Sequence, residues 1–193
     1  MSTAAPPGLM TAEEFYEWAN RPENADKWYE LDAGRVVEMP SPGKAHGTVC
    51  WLVTRKLTHY LDARGEGYIC QNDTGLVVAR DPDTVRGPDL MLYLDHSPMD
   101  QVTLRHADDV PTLVVEIMSP SDSMGKTLRR VQQYLGRGVP LVWIIEPEVS
   151  AVQVFRPNEF PKVLDDSEEL TGNGILPDFC CRVSDLFTVP KRT

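Results

Sequence analysis

Residues 112–122 read TLVVEIMSPSD. Residues 113–115 and 117–118 are apolar, which is typical of a strand that is buried on both faces between two layers, and Glu116 lies inside this run. The residues SPSD at 119–122 then form a helix-start signal. A second continuous apolar strand, LVWII, follows at residues 141–145. Strand, helix and strand in this order predict a βαβ crossover, and therefore a parallel strand pair within a mixed sheet.

The helix between these two strands is expected to turn Leu128, Val131 and Leu135 toward the core. Gly136 or Gly138 should end it. We expect a third strand at residues 151–156 and a short closing helix at residues 183–187.

The residues before position 112 also divide into short elements. A helix is predicted at residues 11–20, where Thr11 is the N-cap and acidic residues occupy the first turn. Two strands at 28–31 and 35–39 are joined by Asp32-Ala33-Gly34, which has the composition of a hairpin turn. A long amphipathic helix follows at 45–64. Further strands are predicted at residues 68–70, 74–78 and 90–94.

The composition describes one ordinary globular domain. The chain has 193 residues, of which 41% are hydrophobic and 25% charged, a balance that excludes a largely disordered protein. We expect a disordered lead at residues 1–10, a single domain at 11–188 and a tail at 189–193. No apolar run reaches the roughly 20 residues of a membrane span, and the N-terminus lacks a signal-peptide pattern. A cytoplasmic protein without a membrane partner is expected.

The four cysteines do not follow the spacing of a zinc knuckle or of a redox CxxC motif. They are Cys50, Cys70, Cys180 and Cys181. Reduced thiols in or near the core are therefore the expected state.

The net charge of −10 argues against a large, non-specific nucleic-acid footprint, because phosphate binding needs clustered Lys and Arg. A local basic patch is still compatible with this charge. Solvated helix faces would explain the candidate phosphate contacts equally well. These candidates are Arg55, Lys56, Arg129, Arg130 and Arg137.

Two carboxylates carry the chemistry. Glu116 lies inside an apolar strand, where a charge is costly unless it is paired, protonated or bound to metal. The alternative to a functional role for Glu116 is a structural one: it forms an ion pair with Arg129 or Arg130, or it lies at the solvent-exposed end of the strand. Asp89 follows Gly-Pro at the start of another strand, where a turn or cap role is common. Together, Asp89 and Glu116 could ligate a hard divalent cation such as Mg²⁺.

Several segments follow one another in an order that matches a known family. They are YEL at 29–31, GRVVEM at 34–39, His46, PDL at 88–90, LVVEIMSPS at 113–121, Tyr134, GV at 138–139, VWII at 142–145, EP at 146–147, Pro177 and LF at 186–187. The set resembles the PD-(D/E)xK nuclease superfamily, and more specifically its Uma2 family of bacterial restriction-like endonucleases. The resemblance extends from about residue 11 to residue 187.

The resemblance implies a restriction endonuclease-like core of the α/β or α+β class, with a mixed β-sheet flanked by helices. It implies a site of Glu30, Asp89 and Glu116, in which Asp89 and Glu116 hold Mg²⁺ or Mn²⁺ and a DNA phosphodiester is hydrolysed. It also implies a homodimer, since such nucleases often pair to cut both strands. No organic cofactor is expected.

The chain departs from the superfamily pattern at the lysine that orients or activates the water. Met118 stands two residues after the acid, where the superfamily usually has lysine. In the resembling family this lysine falls on the following helix, at the position of Arg130 here. Lys126 lies one turn earlier on the same helical face. Because a guanidinium is a poor general base, either Lys126 substitutes, or Arg130 acts electrostatically, or the site is inactive.

His46 is a further candidate at the start of the long helix. It could approach the site from the side, or it could be a hydrogen-bonded residue near the core.

Other readings are a binding or oligomeric interaction module that has lost catalysis, and a metal-free glycosidase that uses two carboxylates. With 8% aromatic residues and no row of them, the glycosidase ranks last. Ser119 and Ser121 are better explained as helix caps than as nucleophiles, because no GxSxG elbow is present.

Overall fold

The computed structural model describes residues 8–120 and 122–190. The helices are α1 (Ala12–Ala19), α2 (Lys44–Arg64) and α3 (Met124–Arg137), with 3₁₀ turns at Met99–Gln101 and Val183–Leu186. The strands are β1 (Trp28–Asp32), β2 (Arg35–Met39), β3 (Tyr68–Gln71), β4 (Leu76–Ala79), β5 (Thr84–Arg86), β6 (Leu90–Tyr93), β7 (Leu113–Ile117), β8 (Val142–Glu146), β9 (Ala151–Phe155), β10 (Lys162–Leu164), β11 (Glu169–Thr171) and β12 (Cys180–Arg182). Part of the predicted N-terminal lead (residues 1–7), part of the predicted tail (191–193) and the predicted cap Ser121 lie outside the described residues.

The central sheet has the strand order β10-β9-β8-β7-β6-β3. Strands β7 and β8 run parallel, with Val114 opposite Val142, and α3 connects them. The other neighbours in this sheet are antiparallel. The predicted βαβ crossover in a mixed sheet is therefore confirmed.

Alternation along β7 divides the core into two layers. Leu113, Val115 and Ile117 pack with the apolar face of α2. Val114 points to the opposite face of the sheet and packs with α3 through Val131. Fully burying one such aliphatic side chain contributes about 1.5–3 kcal/mol. Because Glu116 alternates in phase with Val114, it belongs to the face that α3 covers.

A second sheet, of order β2-β1-β5-β4, lies beside α1. Phe15 and Trp18 of α1 pack with Leu31 and Val85 of this sheet. The predicted N-cap Thr11 is confirmed, and it forms a capping box: its hydroxyl accepts from the Glu14 backbone N–H, and the Glu14 carboxylate accepts from the Thr11 backbone N–H. Through β1 this sheet places Glu30 beside the loop that precedes β6, where Glu30 accepts from the Gly87 backbone N–H.

Helix α3 differs from its prediction at the start and along its buried face. It begins at Met124, and the Asp122 carboxylate instead accepts from the Ser119 backbone N–H at 2.7 Å. Its buried residues are Thr127, Val131 and Tyr134, whereas Leu128 is 40% exposed. These three buried residues are four and three positions apart, so they lie on one face of the helix, as the predicted residues 128, 131 and 135 would.

The short strands β5, β10, β11 and β12 were not predicted. Each has three residues, too few for an alternating pattern to be recognised. None of the helices in the described part of the chain combines the length and apolarity that a membrane span requires.

Candidate active site

A cavity of about 890 Å³ lies between the β1–β2 hairpin, the start of α2, the end of β7 and the start of α3. All the site residues that the sequence singled out line this cavity. They are Glu30, Asp89, Glu116, Lys126 and Arg130, joined by His46. The volume of the cavity, and its lining by both polar and apolar residues, are typical of a site for a small ligand or a substrate.

The register of the central sheet explains why Asp89 and Glu116 meet. Strands β6 and β7 are antiparallel, with Leu90 opposite Val115. One step further along the same register brings Asp89 next to Glu116. The Asp89 Oδ2 atom accepts from the Ile117 backbone N–H at 2.6 Å, which orients the carboxylate.

Glu116 is a carboxylate with one occupied and one available oxygen. Its Oε1 atom accepts from Arg130 Nε at 2.9 Å and from the Tyr134 hydroxyl. Within the described residues, no hydrogen-bond partner is found for Oε2. Burial raises the pKa of Glu116 to about 7, and the charges of Asp89 and Glu30 act in the same direction, while Arg130 and Tyr134 oppose them.

Glu30 is 4% exposed and is held by two arginines. Arg86 Nη1 lies 3.0 Å from Glu30 Oε2, and Arg130 Nη1 lies 2.8 Å from the same carboxylate. The Gly87 backbone N–H donates to Oε1 at 2.8 Å. Buried carboxylates need this density of partners, because an unpaired charge away from water is costly.

Arg130 connects the two acids. It contacts Glu30 from one sheet and Glu116 from the other, and this is the ion-pair alternative for Glu116 that the sequence left open. The guanidinium offers several donors in a planar fork, so one residue can satisfy both carboxylates.

His46 lies at the start of α2 and contacts Asp89, with Nε2 3.0 Å from Oδ1. This hydrogen bond raises the pKa of His46 to about 10. The His46 ring also contacts the Cys50 thiol, with Sγ 3.5 Å from Nδ1. The prediction of Cys50 as a reduced thiol in or near the core did not include this contact, although the spacing of four residues on one helix was visible.

Two further residues of the site were missed. Arg86 is buried in β5 and donates to Glu30, to Asp32 at 2.8 Å and to Gln133 at 2.8 Å. Asp73 is exposed at the cavity rim, yet desolvation raises its pKa to about 6, with the charge of Asp89 as the second cause. No periodic pattern marks either residue in the sequence.

Basic residues line the same cavity as the acids Glu30, Asp89 and Glu116. Lys126, on the first turn of α3, is exposed and lines the cavity. Lys44, at the start of α2, does the same, and Arg129 pairs with Asp32 at 3.0 Å. Three predicted phosphate contacts do not line the cavity. They are Arg55, Lys56 and Arg137; Lys56 and Arg137 instead pair with Asp185 and Asp108.

The donor set fits a hard divalent cation. Asp89 and Glu116 supply carboxylate oxygens, the ligands that Mg²⁺ and Mn²⁺ prefer. Burial is the first cause of the raised pKa of Glu116, and the charge of Asp89 acts in the same direction, so a cation held by Asp89 and Glu116 would offset that like-charge repulsion.

Two comparisons with known proteins give matches, and both matches are described as nucleases. The family model Uma2, described as "Putative restriction endonuclease", matches residues 12–184. A crystal structure of "a putative nuclease belonging to DUF820 from Anabaena variabilis ATCC 29413" superposes with a TM-score of 0.77 at 18% sequence identity, and the alignment covers 92% of this chain and 97% of that one. At this identity the superposition establishes the shared fold. The search of curated proteins found no significant match.

Proposed function

The chain belongs to the Uma2 family, and from this premise we propose that it is a metal-dependent endonuclease that hydrolyses DNA phosphodiester bonds. The observation that carries the proposal is the convergence of Glu30, Asp89 and Glu116 in one cavity, although they come from different elements. The family description and the nuclease with the same fold support the reaction class.

Asp89 and Glu116 would hold Mg²⁺ or Mn²⁺. Such a cation, when bound, lowers the pKa of a water and offsets charge on a phosphoryl oxygen. The Ile117 backbone N–H holds Asp89 in place, and Arg130 holds Glu116 through one oxygen and leaves the other for the ion.

Positively charged side chains would orient the phosphate and offset its charge. Arg130 lies among the carboxylates and can offset the charge that develops on the phosphate, but its guanidinium does not accept a proton near neutral pH. Lys126 lies one turn earlier on α3, at the open side of the cavity, where it can orient the water or a phosphoryl oxygen. Glu30 acts as a positioning residue, since it fixes Arg130 and Arg86.

DNA fits the electrostatics of this surface. The rim is basic at Lys44, Lys126 and Arg129, whereas the chain as a whole carries −10. Binding would therefore be local and salt-sensitive. A homodimer would present two such sites, one for each strand.

A second candidate function is a nuclease-fold module that binds nucleic acid or another copy of the chain without cleavage. The contacts of Arg130 favour it, because this residue already neutralises Glu30 and Glu116. Met118 at the usual lysine position favours it as well.

The test is nicking and linearisation of supercoiled plasmid at low salt, with Mg²⁺ or Mn²⁺ and with EDTA. Asp89→Asn and Glu116→Gln should abolish metal-dependent cutting, because each removes one charge from the ion's ligands. Glu23→Gln, at an exposed carboxylate outside the cavity lining, is the control and should cut like the wild type. Cutting that survives both site variants, or no cutting by the wild type, would favour the binding module.

A further inference from the structure

His46 and Cys50, which the proposed nuclease chemistry does not use, form a cluster with Asp89, which it does use. They are four residues apart, so they lie on the same face of α2, one turn from each other. Cys50 Sγ lies 3.5 Å from His46 Nδ1, and His46 Nε2 lies 3.0 Å from Asp89 Oδ1. A potential ligand atom from each of the three residues lies within 4.8 Å of the other two.

We propose that His46, Cys50 and Asp89 form a second cation site, which shares Asp89 with the proposed Mg²⁺ site and selects thiophilic divalent ions, of which Zn²⁺ is the representative. Thiolate sulfur and imidazole nitrogen favour Zn²⁺, whereas Mg²⁺ demands oxygen ligands. Three protein ligands leave a fourth position of a tetrahedral ion for water. The site is reached from the cavity, because His46 and Asp89 line it and Cys50 is half-buried behind them.

Binding releases two protons to solvent. The Cys50 thiol loses one and binds as thiolate, and His46, an imidazolium beside Asp89, loses the other and binds as neutral imidazole through one ring nitrogen. Because Cys50 contacts Nδ1 and Asp89 contacts Nε2, a side chain of this cluster must turn so that the three ligand atoms, which lie within 4.8 Å of one another, meet at one ion. Asp89 gives one oxygen, while its other oxygen keeps the hydrogen bond from the Ile117 backbone N–H.

Because the two sites share Asp89, an ion bound at His46 and Cys50 would regulate the proposed Mg²⁺ site. Asp89 is the only ligand common to the two sites, so an ion at His46 and Cys50 removes an oxygen from the Mg²⁺ set. Zn²⁺ should then inhibit cleavage at concentrations far below those of Mg²⁺. This inhibition rests on the proposed nuclease function; the binding of Zn²⁺ does not.

Co²⁺ is the probe for the binding step, since a thiolate ligand produces a charge-transfer absorption band in the near ultraviolet. The full chain, reduced and freed of metal with EDTA, should develop this band on titration with Co²⁺. Cys50→Ser should abolish the band. Cys70→Ser is the matched control, because Cys70 is also half-buried but belongs to β3, and it should keep the band.

Zn²⁺ calorimetry on the same proteins adds the affinity. We expect one tightly bound ion per chain in the wild type. Loss of even an outer-shell partner costs about 10–100-fold in metal affinity, so loss of the thiolate should weaken Zn²⁺ by at least about 100-fold. Zn²⁺ should also slow alkylation of Cys50, but not of exposed Cys180, in the wild-type chain, which tests the site even if Cys50→Ser fails to fold.

A band that persists in Cys50→Ser would overturn the proposal, and so would alkylation of Cys50 that Zn²⁺ does not slow. These measurements contain no DNA. A protein that never cuts plasmid can therefore still show the Cys50-dependent band, and an active nuclease can lack it. The failure of this inference and the failure of the nuclease proposal are thus distinguishable.

Discussion

Arg130 and Glu116 form an ion pair in which Nε, at 2.9 Å, and Nη2, at 2.8 Å, both contact the same carboxylate oxygen, Oε1. Among the residues that the structure describes, the second oxygen, Oε2, has no hydrogen-bond partner. The same guanidinium contacts Glu30 through Nη1 at 2.8 Å. One cation therefore holds together acids from the two sheets, so its loss should affect stability as well as activity.

The first prediction concerns the stability that Arg130 provides. Arg130→Met should leave two largely buried carboxylates without their shared cation. Breaking a buried ion pair costs about 3–5 kcal/mol, and the partial exposure of this site places the expected loss at the lower end, about 3 kcal/mol. Urea unfolding at neutral pH measures the free energy of unfolding. Arg129→Met, which removes the neighbouring exposed cation, should change this free energy by less than about 1 kcal/mol.

The second prediction concerns the Tyr134 hydroxyl, which donates to Glu116 from the buried face of α3. Tyr134→Phe should destabilise the chain by about 1.5–3 kcal/mol, because hydrogen bonds to charged groups contribute that much. Tyr60→Phe is the control: the buried Tyr60 hydroxyl makes no hydrogen bond to any described residue, so its removal should be neutral or slightly stabilising. Equal losses in the two variants would contradict a role for the Glu116 contact.

The third prediction follows from the pKa of Glu116, which is raised from 4.5 to about 7 by burial first. A carboxyl group with a raised pKa binds its proton more tightly in the folded chain than in the unfolded one. Its contribution to stability is therefore complete below about pH 4.5 and is lost as the pH rises through 7. The loss amounts to about 1.4 kcal/mol for each unit by which the pKa is raised.

Glu116→Gln isolates this contribution, because glutamine does not titrate. We expect the stability difference between wild type and Glu116→Gln, measured in EDTA from pH 4 to 8, to move against the wild type as the pH rises. A difference that is constant over this range would contradict the raised pKa. The Glu23→Gln difference, from an exposed carboxylate, should show no such trend across pH 5–8.

The central part of the fold could be predicted because its signals are local. The apolar runs at 112–118 and 141–145, with a helix between them, allow few arrangements other than a parallel pair. The individual site acids were also visible, Glu116 as a charge in an apolar strand and Asp89 after Gly-Pro. Their adjacency was not visible without the family resemblance, since it depends on the register that pairs Leu90 with Val115.

The missed features depend on contacts between distant segments. Arg86 lies in a three-residue strand that pairs with β1 at a single position, Leu31 opposite Val85, and no sequence period can report this. The spacing of His46 and Cys50 was readable, but the approach of Asp89 from the loop before β6 was not. The buried stripe of α3 was misplaced because Leu128 resembles a core residue, while Thr127 packs inward.

The last prediction asks whether the arginine limits turnover. Under the nuclease proposal, Arg130→Lys places at this position an ammonium group that is positive between Glu30 and Glu116 when protonated and, unlike a guanidinium, can release its proton and act as a base. General-base catalysis contributes about 10²–10⁴-fold, so the metal-dependent cutting rate should rise by at least about tenfold. The plasmid assay measures this rate, with unfolding in urea as the check on folding. If Lys126 already performs the role, Arg130→Lys will leave the rate unchanged or lower it, and Lys126→Ala will reduce it by about 100-fold or more. Comparison of these two variants therefore identifies which position on α3 carries the proton-transferring residue.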